Sequence, residues 1–293
     1  MLWRKDGILL SDCTTFRIGG PALVWLEPDS PSDILDAIDM AQRHRNFVLI
    51  GNGSNILARD EGFDGAVVKL GRGFDYIEDV GDGLVRVGAA TSINRFISRC
   101  IELELSGCEF LSGIPGSIGG AVFMNAGVRD LDDQKIFNEI KDRIFEIEIL
   151  DIDDKIIRIL KREDVDFSYR SSGLEGKWIL SALIKLEKDV SSRIKSRVQS
   201  FLKKREWISK ISFPTAGSIF KNPSEGNPAG RLIEMCGLKG KRIGGAEISK
   251  LHANFIVNRC KARAADVLAL IELAQDAVRE RFNIELELEI KII

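Results

Sequence analysis

The sequence predicts an α+β protein of two domains, and three observations support that prediction. The chain has 293 residues, whereas a single domain ordinarily spans about 100–200 residues. The predicted strands are short and are separated by glycine-bearing turns without a regular strand–helix–strand repeat, which favours α+β over a parallel α/β sheet. A basic amphipathic helix over residues 191–210 then marks the boundary to a second α+β unit.

The first two-thirds of the chain alternate helix and strand signals. Ser30 precedes Pro31 and an acidic turn, which is the pattern of a capped helix start. Thr91 and Ser92 precede a second helix, whose apolar face runs from Ile93 to Ile101. Predicted strands cover residues 22–27, 47–50, 66–70, 74–80 and 84–88, and further strands alternate with loops from about residue 140 to 187.

The last third begins with the 191–210 helix, whose apolar stripe consists of Ile194, Val198, Phe201, Leu202 and Ile208. We interpret its seven lysines and arginines as a solvated face rather than a nucleic-acid-binding arm. Another helix is predicted through residues 267–278. The final residues, 284–293, alternate between apolar and charged side chains and predict a half-buried strand.

Composition and charge argue against several function classes. The chain has 42 Lys and Arg against 44 Asp and Glu, a net charge of −2, so we expect no nucleic-acid partner. Its apolar runs fall short of the ~20 residues of a membrane helix, and no signal-peptide layout precedes them, which predicts a cytoplasmic protein without a membrane partner. Five cysteines without C-x-x-C spacing, and only two histidines, predict structural cysteines and no metal site.

Two glycine-rich segments are candidates for binding a phosphate-bearing ligand. Gly51-Asn52-Gly53-Ser54-Asn55 directly follows a predicted strand, and consecutive backbone N–H groups in such a turn form an anion-binding nest. Because Ile56 stands where the dinucleotide Rossmann fingerprint requires glycine, that fold loses support. Alone, this turn is equally consistent with a plain tight turn. Four of the nine residues 113–121 are also glycine, and this second segment favours a ligand surface.

Motifs over nearly the whole chain resemble those of one enzyme family. They are Thr15–Ala22, Gly51–Asn55, Gly113–Ala121 with Met124–Gly127, Phe167–Ser172, Ala216–Pro223, Ala229–Glu234, Gly237–Gly240, His252–Asn258 and Leu286–Glu289. In order and spacing this set resembles the UDP-N-acetylenolpyruvoylglucosamine reductase (MurB) family, flavoenzymes of peptidoglycan precursor synthesis. Because the long insertion that carries a substrate-covering tyrosine is missing, the chain resembles the shorter, second subtype.

The resemblance implies a two-subdomain FAD-binding fold of the vanillyl-alcohol-oxidase type, followed by a C-terminal α+β substrate-binding domain. The expected limits are residues 1–188 for the FAD-binding domain, with a subdomain boundary near residue 90, residues 189–211 for a connecting helix and residues 212–293 for the substrate domain. FAD is expected to bind non-covalently, NADPH to supply the hydride, UDP-N-acetylglucosamine-enolpyruvate to be reduced, and the chain to be a monomer. The FAD-binding residues carried over are Gly51, Asn52, Gly53, Ser54, Asn55, Pro115, Gly116, Ser117, Gly120 and Ala121.

The same resemblance implies the catalytic residues Arg170, Ser218 and Glu289. Arg170 is expected to stabilise an enolate, Ser218 to donate a proton to it, and Glu289 to stand protonated or hydrogen-bonded beside it. Without the resemblance, Ser218 is an ordinary loop or cap serine, and Glu289 lies on the solvated face of the last strand. Candidates for the substrate's nucleotide are Tyr169, Lys221, Asn222 and Glu234.

Two other functions remain open at this point. The glycine-rich half alone is compatible with another FAD-dependent oxidase or dehydrogenase of the same fold, although the motifs ending at Pro223 and Glu289 are tied to the reductase. A catalytically inactive nucleotide-sugar-binding protein is the non-enzymatic alternative, and the retained Arg170, Ser218 and Glu289 argue against it. The chain departs from the family at Val128-Arg129-Asp130, where relatives often carry an aromatic residue and another glycine.

Overall fold

The structure is a computed structural model, and it describes residues 2–133, 135–223 and 227–293. Its α-helices are α1 (Pro31–Ala41), α2 (Ile93–Glu102), α3 (Ile118–Phe123), α4 (Ser191–Lys204), α5 (Glu206–Ser209), α6 (Ala229–Met235) and α7 (Ala264–Phe282). Within those described ranges, no helix combines the length and the apolar character that crossing a membrane requires.

The strands, in chain order, are mostly short. They are β1 (Trp3–Asp6), β2 (Ala22–Glu27), β3 (Phe47–Ile50), β4 (Ile56–Leu57), β5 (Phe63–Lys69), β6 (Ile77–Gly81), β7 (Leu84–Gly88), β8 (Leu105–Ser106), β9 (Gly127–Arg129), β10 (Phe137–Glu139), β11 (Ile144–Asp151), β12 (Ile157–Lys161), β13 (Lys177–Lys185), β14 (Glu187–Lys188), β15 (Arg242–Ile243), β16 (Ala246–Ile248), β17 (Ile256–Asn258) and β18 (Lys291–Ile292).

Most pairing between these strands is antiparallel. The largest sheet has the order β12-β11-β13-β7-β6, and every neighbouring pair in it is antiparallel. Its central strand β13 is buried on both faces from Trp178 to Ile184, and α3 packs against it. A second sheet has the order β1-β2-β5-β3, and β15-β16-β17 form a third. The remaining ladders are β10-β9, β14-β8 and the parallel pair β18-β4.

Contacts within the chain divide it into two compact units. Unit 1 comprises Met1–Arg4, Leu26–Asn52 and Val68–Glu206, and unit 2 comprises Lys5–Trp25, Gly53–Val67 and Trp207–Ile293. The core of unit 1 contains the central sheet and the apolar faces of α1 and α2. The core of unit 2 contains the buried faces of α6 and α7 and residues of β15, β16 and β17. This division by contacts does not test the domain limits expected from the resemblance, which stay a prediction.

Local sequence signals account well for the helix starts. The Ser30 hydroxyl accepts the backbone N–H of Asp33 at 3.1 Å, with Pro31 opening α1. Ser92 accepts the N–H of Arg95 at 3.2 Å at the start of α2. Both caps are therefore confirmed, because a serine oxygen satisfies one of the N–H groups that a helix leaves without an internal partner. The predicted strand over 74–80 starts later, at Ile77, since residues 72–74 form a 3-10 turn that buries Phe74.

The helix predicted over 191–210 is present over most of that range but is interrupted at Arg205. Helix α4 ends at Lys204, the short α5 follows, and Leu202 of the predicted apolar stripe is exposed. The solvated-face interpretation is also incomplete, because Arg197 pairs with Glu109 at 2.9 Å and Lys204 donates to backbone carbonyls. Basic residues of this helix thus attach it to other segments of unit 1.

The predicted strand over 284–293 is wrong in extent. Only residues 291–292 form a strand, in parallel pairing with β4. The alternation nevertheless appears in burial, since Leu286 and Ile290 are buried while Glu285 and Glu287 are exposed. The preceding residues make only isolated pairing, such as the bridge between Leu288 and Phe220. A period-two pattern reports which side chains are buried and does not require a continuous ladder.

Candidate functional site

Within unit 1, Gly51 at the start of the Gly51–Asn55 turn lies close to the second glycine-rich segment, residues 113–121. Gly51 follows β3, and a Cβ added there would lie 2.7 Å from the Ser117 hydroxyl oxygen. Ser117 caps α3 and accepts the N–H of Gly120 at 3.3 Å. Gly116 has a φ of 139°, which favours glycine. A side chain at Gly51 would therefore displace the Ser117 hydroxyl that caps α3, and Gly116 requires glycine by its backbone conformation.

The backbone amides of the second segment are largely used inside the chain. The N–H of Ile118 donates to Thr91 O at 2.8 Å, and that of Gly119 donates to Ala89 O at 2.9 Å. With the Gly120 N–H on Ser117, the first turn of α3 spends these three amides on the protein itself. This segment therefore offers a ligand a smooth glycine surface rather than these particular donors.

Gly53 belongs to unit 2 and has a different neighbour. Its φ is 64°, and a Cβ there would collide with the carbonyl oxygen of Cys13. The Gly53 carbonyl accepts the N–H of Thr15 at 3.1 Å. The Thr15 hydroxyl donates in turn to Thr215 O at 2.8 Å. The Gly51–Asn55 turn is thus held in place by the first motif of the chain.

Arg170 lies at the tip of a tight hairpin in unit 1. Ser168 and Ser171 exchange backbone hydrogen bonds of 3.0 and 3.2 Å, and Arg170 between them has a φ of 58°. Its Nη1 donates to Gly127 O at 3.1 Å. Its guanidinium carbon lies 5.5 Å from the centre of the Phe137 ring, within cation–π range. These contacts fix the direction of the cation.

Buried Asn125 supports this hairpin. Its side-chain amide donates to Ser168 O at 2.9 Å and to Glu139 Oε1 at 2.9 Å. Its own φ is 42°, a left-handed conformation that asparagine tolerates better than most residues. Asn125 therefore connects the loop after α3 to the hairpin that carries Arg170.

Ser218 and Glu289 lie on neighbouring backbone segments of unit 2. Ser218 forms an isolated bridge with Phe255. The next residue, Ile219, accepts the Glu289 N–H at its carbonyl oxygen at 2.8 Å. The Glu289 carbonyl accepts the Asn55 side-chain amide at 3.0 Å. Hydrogen bonds within unit 2 thus connect the segments that carry Ser218, Glu289 and Asn55.

Asn254 holds the Ser218 segment from its other side. It is 4% exposed, its Oδ1 accepts the Phe220 N–H at 2.9 Å, and its Nδ2 donates to Phe220 O at 2.8 Å. The Asn254 carbonyl also accepts the Ile219 N–H at 2.8 Å. A single side chain therefore satisfies both backbone polar groups of Phe220 in a buried place, which fixes the path of the residues after Ser218.

His252 lies next to this segment as part of an aromatic cluster. Its ring stacks on Trp207 with centroids 4.7 Å apart, and its Nδ1 accepts the Asn254 N–H at 3.3 Å. Burial lowers the pKa of His252, with the positive charge of Lys239 as a second cause. The neutral imidazole is therefore the favoured form, as its acceptor role requires.

The four candidates for substrate binding have varied surroundings. In unit 1, Tyr169 is 36% exposed, and its ring lies 5.8 Å from that of Phe137. In unit 2, Lys221 pairs with Glu287 at 3.4 Å, and Asn222 accepts the Ala229 N–H at 3.1 Å. Glu234 on α6 pairs with Lys239 at 3.3 Å. Both Lys221 and Glu234 thus form exposed ion pairs, which are individually weak and exchangeable.

Comparison with known proteins identifies the family. A model described as an FAD binding domain matches residues 22–160, and one described as the C-terminal domain of UDP-N-acetylenolpyruvoylglucosamine reductase matches residues 209–293. The UDP-N-acetylenolpyruvoylglucosamine reductase of Bacillus subtilis is 42% identical over 288 residues, covering 97% of this chain and 92% of that protein. The chain belongs to this reductase family.

Other members of the reductase family agree over the same length. The Bacillus velezensis enzyme is 41% identical over 97% of this chain and 92% of its own. The crystal structure of the MurB reductase from Thermus caldophilus has a TM-score of 0.84 and 34% identity, and covers 100% of this chain and 98% of that one. The FAD-binding fold followed by a reductase C-terminal domain, predicted from the sequence, is thereby confirmed.

The glycine-rich segment 113–121 has a surface that fits the FAD that this reductase family uses. A Cβ added at Gly120 would meet only the Ser117 hydroxyl, at 3.6 Å, whereas one at neighbouring Gly119 would lie 2.8 Å from the Ala89 Cβ. Gly119 is therefore closed by the protein, while the Cα of Gly120 faces space that the chain leaves open. Such a surface lets a ligand approach the backbone closely.

Sequence reasoning gave no role to Asn254 or Asn125, although both stand in motifs of the reductase family. A signal for Asn254 existed. It is a polar residue between Ala253 and the apolar run Phe255–Val257, and a polar side chain in a buried run requires a hydrogen-bond partner. Asn125 carried the same signal, since it lies between the apolar residues Met124 and Ala126, but in neither case could the sequence name the partner, because the partners are remote in sequence.

Proposed function

We propose that this chain catalyses the NADPH-dependent reduction of UDP-N-acetylglucosamine-enolpyruvate to UDP-N-acetylmuramate with bound FAD, as the names and motifs of its relatives indicate. Bound FAD would supply the redox chemistry, the relay of a hydride from NADPH to the vinyl carbon of the substrate. The residues proposed to hold FAD are Gly51, Asn52, Gly53, Ser54, Asn55, Pro115, Gly116, Ser117, Gly120 and Ala121. The open face of Gly120 and the close packing of Gly51 on Ser117 support this assignment.

Arg170 is proposed to stabilise the charge that the hydride creates. Hydride arrival at the terminal carbon leaves negative charge on the α-carbon, delocalised into the adjacent carboxylate. A guanidinium remains protonated at any physiological pH. Held by Gly127 O and the Phe137 ring, it requires little reorganisation as the charge develops, and preorganised electrostatics of this kind commonly supply a large part of catalysis.

Ser218 is proposed to donate the proton to the α-carbon, with Glu289 beside it. The single observation that supports this pairing best is the hydrogen bond from Glu289 N–H to Ile219 O, which holds the two segments side by side. A carboxyl group next to a forming enolate must be protonated or hydrogen-bonded, since a bare carboxylate would repel the new negative charge. Glu289 can then also return a proton to Ser218 after the reaction.

Tyr169, Lys221, Asn222 and Glu234 are proposed to contact the nucleotide part of the substrate. The ion pairs of Lys221 and Glu234 are exposed and therefore inexpensive to exchange for a diphosphate or a ribose hydroxyl. We further propose a cytoplasmic monomer, because UDP-sugars and NADPH are cytoplasmic metabolites, and sedimentation of the pure holoenzyme tests the monomer. The FAD role is assigned to residues 1–188, the connection to 189–211 and the substrate role to 212–293, in keeping with the two family matches.

The test is an anaerobic titration of the purified yellow protein. NADPH should bleach the flavin absorbance, and UDP-N-acetylglucosamine-enolpyruvate should restore it in a one-to-one ratio. UDP-N-acetylglucosamine, which lacks the enolpyruvyl group, is the matched control and should restore nothing. A colourless protein, or a reduced flavin that the enolpyruvyl compound cannot reoxidise, would show that the proposal is wrong.

A further inference from the structure

Arg205 is a half-buried cation in unit 1 that the proposed reaction leaves without a task. It directly follows α4, where its backbone N–H closes the helix on Phe201 O and Leu202 O. Its Nη1 atom is buried and has no hydrogen-bond partner among the described residues. Native proteins satisfy nearly all buried polar atoms, so an unsatisfied guanidinium nitrogen indicates a missing partner.

The arginines of α4 differ from Arg205 in this respect. Arg193 pairs with Asp189 at 2.6 Å, and Arg197 pairs with Glu109 at 2.9 Å. Within the described parts of the chain, Arg205 forms an ion pair with no acidic side chain. No acidic side chain of the described residues therefore neutralises its charge.

A second cation, Arg170, lies in the same region of unit 1. Strand β9 and the residue after it connect the two, because Arg170 Nη1 donates to Gly127 O at 3.1 Å and Lys204, next to Arg205, donates to Asp130 O at 2.6 Å. Burial, and to a lesser degree the charge of Arg170, lowers the pKa of Arg205 to about 10. Arg205 thus stays charged at neutral pH although it is partly shielded from solvent.

A buried guanidinium nitrogen without a partner, near a second cation, destabilises the ligand-free protein unless an anion binds to it. A guanidinium presents paired N–H donors in a plane, the geometry that matches the two oxygens of a carboxylate or phosphate. We propose that Arg205 and Arg170 together bind one oxyanion of a small-molecule ligand. This inference rests on the proposed function for the identity of the ligands, whose oxyanions are the enolpyruvyl carboxylate, the diphosphates and the 2′-phosphate of NADPH.

The test compares wild-type holoenzyme with Arg205→Met and with Arg193→Met, which replaces a mostly exposed arginine of α4 as a control. Dissociation constants are measured from flavin absorbance changes for two pairs of ligands. The first pair, UDP-N-acetylglucosamine-enolpyruvate and UDP-N-acetylglucosamine, differs in the carboxylate, and the second, NADP⁺ and NAD⁺, differs in the 2′-phosphate. Loss of charged hydrogen bonds should weaken binding about 10- to 100-fold in Arg205→Met only.

The pattern of the loss identifies the oxyanion. A loss confined to the enolpyruvyl compound indicates its carboxylate, a loss confined to NADP⁺ indicates the 2′-phosphate, and a loss shared by all four ligands indicates a diphosphate. Without ligand, Arg205→Met should melt no lower than Arg193→Met, because it removes a half-buried charge that no acidic side chain of the described residues neutralises.

Unchanged affinities for all four ligands in Arg205→Met would overturn the inference and make Arg205 a structural residue. If the methionine variant loses FAD or does not fold, Arg205→Lys keeps the charge without the planar fork, and wild-type affinities in that variant would equally overturn it. A failure of the proposed function is distinguishable, because wild type itself would then not bind the enolpyruvyl compound or be reoxidised by it.

Discussion

Adjacent glycines in α3 provide a sharp test of where the cofactor binds. At Gly119 an added methyl group would lie 2.8 Å from the Ala89 Cβ and 3.1 Å from the Ala89 carbonyl oxygen. Overpacking of that kind typically costs about 1–3 kcal/mol. At Gly120 the nearest atom would be the Ser117 hydroxyl at 3.6 Å, an ordinary contact. Gly120→Ala should therefore not destabilise the apoprotein, and better helix propensity should contribute up to about 1 kcal/mol of stability.

The effects of the two substitutions on FAD binding should be the opposite of their effects on apoprotein stability. Because Gly120 is proposed to lie against FAD, Gly120→Val should fold but bind FAD weakly or not at all, whereas Gly119→Ala should retain FAD once folded. Urea unfolding of the apoproteins measures the first effect, and titration of flavin fluorescence measures the second. A folded Gly120→Val protein with full FAD occupancy would refute the assignment of this surface to the cofactor.

Three further predictions follow from the site. Asn254→Ala leaves two buried backbone groups of Phe220 without partners and should cost about 2–6 kcal/mol in urea unfolding, with kcat falling more than FAD content; an unchanged kcat would contradict its positioning role. Burial lowers the pKa of His252, so the folded state favours the neutral ring; its stabilising contribution is present above the unfolded pKa of about 6.5 and is lost as the pH falls below it. Between about pH 7.5 and about pH 5.5, wild type should thus lose more stability than His252→Phe, and equal losses would count against this. Initial rates with NADPH and the enolpyruvyl substrate should give parallel double-reciprocal lines, because the two bind alternately; intersecting lines without substrate inhibition would exclude alternation.

Sequence patterns predicted the elements whose signals are local. The caps at Ser30 and Ser92 and strand β7 arise from a few neighbouring residues. The patterns did not predict element limits that depend on contacts between residues remote in sequence. Helix α4 stops at Lys204 and leaves Leu202 exposed, although the apolar spacing continues through Ile208. The terminal segment alternates in burial yet pairs only at residues 291–292, because Glu289 and Glu287 bond to the Ser218 segment instead.

The site was predictable only in part for the same physical reason. Glycine content indicated a ligand surface at residues 113–121, since glycine is costly where no close approach requires it. Composition could not show that the amides of Ile118 and Gly119 donate within the chain. Neither could it show that, among the residues that the structure describes, Arg205 has no acidic partner while Arg197 has two, because ion pairing depends on which remote segments the fold brings close.

The proton donor is the central claim about mechanism, and Ser218→Ala tests it most directly in the stopped-flow instrument. Removing one hydroxyl should leave flavin reduction by NADPH at the wild-type rate, because that half-reaction delivers no proton to carbon. Reoxidation by UDP-N-acetylglucosamine-enolpyruvate should slow by about 10²–10⁴-fold, the usual loss for a positioned general acid. If the alanine variant slows both half-reactions equally, or neither, Ser218 is not the proton donor and the account of the site is wrong.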